Sequence, residues 1–161
     1  MKKILFVCFV FSFCFISCAT TDPALTNSTT FSEIVDVAGA SSADIYTRIN
    51  LWFVDAFKNA GSVIEFSDKD SGIIKGKYLF RGNDGPYPYD CQSTITVETK
   101  DEKYRISFAL PYIFYYSPNG RNRSTNAAPV QSQEMADTIM AEWKKIADDL
   151  KNNMSKPKSD W

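Results

Sequence analysis

Between Ser62 and Tyr112 apolar residues return at every second position in four runs, and that period commits the middle of the chain to strands. The runs are Ser62 to Ser67, Ile73 to Arg81, Ser93 to Thr99 and Tyr104 to Tyr112. Asp68-Lys69-Asp70-Ser71-Gly72 joins the first two and Lys100-Asp101-Glu102 the last two. Both links are short and polar, which predicts antiparallel hairpins. The middle link, Gly82 to Asp90, carries Asn83-Asp84-Gly85-Pro86 and reads as a longer loop. Alternation sends Ile74, Tyr78, Phe80, Ile95 and Val97 to one face, together with Tyr104, Ile106, Phe108 and Leu110. Lys75, Lys77, Thr94, Thr96, Glu98, Arg105 and Ser107 fall on the other, so one face is core and one is wet.

Around this block the period changes. Phe31 to Val37 reads as a short strand, with Gly39, Ser41 and Ser42 supplying the turn and cap for a helix from Ala43 to Ala60 that Gly61 ends. Ile45, Ile49, Trp52, Phe53, Ala56 and Phe57 share one face of it. A second helix is predicted over Gln133 to Asn152, capped by Ser132, with Met135, Ile139, Trp143, Ile146 and Leu150 as its stripe. The order β-α-β-β-β-β-α defines an α+β domain over residues 31–152, an antiparallel sheet with both helices on one face.

The N-terminus follows a different grammar. Lys2 and Lys3 precede an apolar run from Ile4 to Ile16, and Ser17 stands before Cys18, which is signal-peptide order. The run has 13 residues, whereas spanning a bilayer takes roughly 20. Phe15-Ile16-Ser17-Cys18 resembles a bacterial lipobox, with Phe15 where leucine is usual. Residues 1–17 are therefore expected as a leader and Cys18 as the lipid-bearing residue, anchoring the protein in a bacterial envelope membrane. Residues 18–30, rich in Ser and Thr, read as a flexible tether, and 153–161 as a disordered tail.

Loss of the leader removes Lys2 and Lys3, leaving 16 basic against 19 acidic residues and a net charge of −3 over Cys18 to Trp161. Such a chain has no general attraction for nucleic acid. With Cys18 acylated only Cys91 remains, so no internal disulfide forms, and no histidine exists to activate the thiol. Cys91 reads as a small buried hydrophobe. Asp68 to Gly72 begins like a calcium loop, but the sixth and twelfth positions hold Ile73 and Leu79, so it reads as a turn. No metal or cofactor is expected.

The residues Ile34-Val35-Asp36-Val37 followed by Gly39 and Ser41, Ile45-Tyr46-Thr47-Arg48 with Trp52, Val63-Ile64, Asp68 to Gly72 and Ile74-Lys75-Gly76-Lys77 together resemble a bacterial envelope family, the domain of unknown function numbered 4468. The resemblance covers about Ser32 to Tyr116. It implies a fold like one half of TATA-binding protein and carries over no catalytic residues, and fold likeness does not bring DNA binding with it.

Pro111-Tyr112-Ile113-Phe114-Tyr115-Tyr116 resists alternation, since one face cannot take every aromatic. Either the strand bends at Pro111 and both faces are covered, or part of the group stands exposed beside arginines. Under the second reading Tyr115, Tyr116, Arg121 and Arg123 form the ligand-binding edge of a noncatalytic module for a protein, peptide or glycan. The alternative is a carboxylate-dependent envelope hydrolase using Glu98 with Asp101 or Glu102.

Overall fold

The computed structural model describes residues 23–57, 63–117, 119 and 121–156. Cys18, the leader, the end of the first long helix at Gly61 and residues 157–161 lie outside them. Eight elements follow in order: α1 (Pro23–Ser28), β1 (Phe31–Asp36), α2 (Ser42–Ala56), β2 (Ile64–Asp68), β3 (Ile73–Asp84), β4 (Tyr87–Lys100), β5 (Lys103–Tyr115) and α3 (Gln133–Met154). The strands form one antiparallel sheet in the order β1-β5-β4-β3-β2.

The two long helices begin where their caps place them. The Ser41 hydroxyl accepts from the Asp44 amide and the Ser132 hydroxyl from the Met135 amide. Their apolar stripes meet the sheet on one face, burying Ile45, Ile49, Trp52 and Phe53 from α2 and Ile139, Trp143, Ala147 and Leu150 from α3. The Trp52 indole N–H donates to Asp149 of α3 at 2.7 Å, tying the helices together. Trp143 stacks on Phe108 with centroids 5.5 Å apart, and its indole N–H donates to the buried Ser93 hydroxyl at 3.1 Å. The inward residues expected from alternation are core from Ile74 to Phe108.

Three expectations are corrected. Gly82 to Asp90 is no long loop: β3 and β4 continue in register to Asp84↔Tyr87, closing a tight hairpin with Gly85 at φ +55. Leu110 is half exposed rather than core, because β5 carries one extra residue: the pairing passes from Thr94↔Ala109 to Gln92↔Tyr112, setting Leu110 and Pro111 opposite Ser93. Leu110 adopts φ +54, and Pro111 sits where a bulge spares the ladder its missing N–H. The bulge reverses the phase, so Ile113 is fully buried and Tyr115 packs on the core. Finally, the segment expected as a tether is ordered from Pro23. Leu25 packs on the core, Thr26 and Thr29 are buried, and the Thr26 hydroxyl accepts the Val130 amide at 2.6 Å.

One buried polar atom has no partner among the described residues, the Tyr104 hydroxyl on the inner face. Burial, with the nearby Glu33 carboxylate, pushes its titration above the ordinary range. Because an unsatisfied buried hydroxyl costs about 1 to 3 kcal/mol, Tyr104→Phe is expected to raise the thermal midpoint. A lowered midpoint would reveal a partner for the hydroxyl.

Candidate functional site

The long helices α2 and α3 lie on one side, and among the described residues no helix covers the opposite face of the sheet. Register decides which side chains it shows. Arg81, Asp90 and Phe114 form one row across β3, β4 and β5, Leu79, Gln92 and Tyr112 the next, and Glu98, Arg105 and Ile34 a third toward the far end. Leu79 (54% exposed), Tyr112 (44%) and Ile34 (63%) stand in water on a face otherwise built from polar residues. Phe66, opposite Lys75, adds a fourth exposed apolar residue near the β2 edge.

At one end of this face Asp90, almost fully buried, gathers three donors. Arg81 Nε lies 3.0 Å and Arg123 Nε 3.2 Å from its oxygens, and the Tyr116 hydroxyl donates at 2.8 Å. The Arg81 guanidinium also covers the Tyr116 ring at 4.5 Å, and Arg123 covers Phe114 at 4.0 Å. The bond to Asp90 holds the Tyr116 hydroxyl above its ordinary range. The cluster fastens the segment after β5 to the sheet, aided by the Tyr116↔Arg123 and Ile113↔Ala128 bridges.

The four residues expected as a binding edge are thus divided. Tyr116 and Arg123 meet, but on Asp90. Tyr115 turns toward the helices, its hydroxyl donating to Asp84 at 3.1 Å, and burial raises its pKa to about 12. Arg121 is exposed, with its backbone N–H on Asn119 and its guanidinium in no ion pair among the described residues. Asp90 lies in the stretch expected as a loop and Arg81 at the end of the strand before it, so the sequence reading does not pair them. A two-residue turn at Gly85-Pro86 places the two opposite each other, and that signal is present in the sequence.

The expected carboxylates have other partners. Asp101 accepts the Ser42 amide at 2.8 Å and Glu102 the Gly39 amide at 3.2 Å, both fixing the approach to α2. Glu98 pairs with Arg105 at 2.7 Å. Glu98 also lines a hollow of about 340 Å³ with Ile34, Asp36, Lys100, Lys103 and Arg105. Burial pushes the Cys91 thiol up to about 12, so it is protonated at neutral pH. The Asp68 carboxylate accepts its own turn's Asp70 amide at 3.0 Å. Among the described residues no cluster suits a metal, and no helix is long and apolar enough to cross a membrane.

An α+β domain with two long helices on one face of a five-stranded antiparallel sheet has the TBP-like fold, which solved structures share. A TBP-like protein from Parabacteroides distasonis superposes with a TM-score of 0.66 at 13% identity, over 80% of this chain and 94% of its own. A DUF4468 family protein from Bacteroides ovatus gives 0.61 at 16% identity, over 82% and 89%. Residues 31–113 match the family model described as a domain of unknown function (DUF4468) with TBP-like fold, and the chain belongs to that family. No curated protein matches it.

Proposed function

We propose that this is a lipid-anchored protein of the bacterial envelope, tethered through Cys18, that binds a protein, peptide or glycan without catalysis and meets no nucleic acid. The uncovered sheet face is the binding surface. The observation that carries this reading is the exposure of Leu79, Tyr112, Ile34 and Phe66 on the face that no helix covers among the described residues. Large apolar side chains there gain nothing for the fold and are available to a partner.

A carboxylate-dependent hydrolase is the second reading, favoured by one feature, that Asp36 and Glu98 line the same hollow. Two free carboxyl groups are needed, and Glu98 is engaged by Arg105, which leaves Asp36 alone outside an ion pair. The binding reading is tested by Leu79→Ser with Tyr112→Ser in cells treated with a cross-linker. Surface changes of this kind leave stability within about 0.5 kcal/mol, while the cross-linked partner should disappear. An unchanged set of cross-links in a folded variant would refute the surface.

A further inference from the structure

We propose that the end of the sheet carrying Tyr112, Arg121 and Arg123 rests against the phosphate headgroups of the membrane. The proposal depends on acylation at Cys18 and deepens that reading. Its first ground is the length of the leash. The chain is helical from Pro23, Leu25 packs against the core, and Thr26 accepts the Val130 amide. Between Cys18 and Pro23 lie four residues, which reach at most about 18 Å even when fully extended. The domain has no room to swing away from the bilayer.

The second ground is which surface lies beside the leash. Val130 follows Ala128, which bridges to Ile113, and Arg123 bridges to Tyr116 a few residues on. The leash and the arginine cluster therefore share one end of β5. On the sheet side of that end Arg81 and Arg123 share the single carboxylate of Asp90, and Arg121 has no acidic partner among the described residues. The surface keeps an excess of guanidinium in a chain whose mature net charge is negative. Asp84, held by Tyr115, and Glu134 lie across the β3–β4 hairpin, beside α3. Tyr112, about half exposed, stands two residues along β5 from Phe114, whose ring Arg123 covers. Tyrosine beside arginine at a membrane boundary puts an amphipathic ring at headgroup level and guanidinium donors on phosphate.

The full lipidated chain in protein-free vesicles of phosphatidylethanolamine and phosphatidylglycerol, followed by hydrogen exchange, tests this. Amides of residues 121–126 should exchange about tenfold more slowly than in detergent, while the turn at 68–72 is unchanged. Inserting twenty Gly and Ser residues between Asp22 and Pro23, or the pair Arg121→Glu and Tyr112→Ser, should remove the protection. An acylated N-terminal peptide with no protection at 121–126 overturns the proposal alone. An unmodified Cys18 overturns it together with the anchor. Protection seen in native membranes but not in these vesicles assigns the surface to a protein and also overturns it.

Discussion

Trp143→Ala should lower the stability of the domain by about 3 to 5 kcal/mol, the usual cost of emptying a buried tryptophan site. The side chain is fully buried, stacked on Phe108 in the centre of the sheet. Its loss leaves a void between helix and sheet and takes the indole donor from the buried Ser93 hydroxyl, which keeps only the weak contact with the Cys91 sulfur. For a domain of this size the thermal midpoint should fall by roughly 10 to 15 °C. Trp143→Phe, which fills most of the void but also lacks the indole donor, should lie between. A midpoint within a degree of the parent would show that the centre of α3 does not carry the core.

The second large effect is expected at Cys18. Each buried methylene of an acyl chain contributes about 0.8 kcal/mol, so chains at one residue decide between membrane and solution almost completely. In cultures fed labelled palmitate, Cys18→Ala should take up no label and move from the detergent phase to the aqueous phase. Label retained on that variant would place the anchor elsewhere. The folded domain should keep its thermal midpoint, since the core among the described residues is built from Leu25 onward.

Strand and helix periods made most of the fold legible, because each element presents one apolar side to a shared core. Ile45, Ile49, Trp52 and Phe53 follow the helical repeat and are buried, and Tyr104, Ile106 and Phe108 follow the strand repeat and are buried. What alternation cannot register is an inserted residue. After Leu110 every side chain of β5 changes face, so Ile113 and Tyr115 go inward, which is the first of the two readings that Pro111 left open. The same insertion turns Tyr115, one of the four residues expected at the binding edge, toward the helices. Thr26 was unreadable for another reason. A Thr-rich segment looks like linker by composition, and its bond to Val130 joins residues far apart in sequence.

The outer strands carry a further consequence, for behaviour at high concentration. β1 has six residues and β2 five, while the three strands between them run from 12 to 14. The pairing of β2 is also broken by a bulge between Ile64 and Phe66, and its exposed Glu65 binds Lys77 of the neighbouring strand. A short, irregular, charged edge is a poor template for a second chain. Proteins concentrated in two dimensions meet each other far more often than in solution, and long bare edges would zip such neighbours into aggregates. Here β4, the longest strand, is paired on both sides, β2 covers β3 only as far as Gly76, and Lys77 and Arg81 put charge on the length of β3 beyond it, which makes that stretch a poor seam for a crowded neighbour.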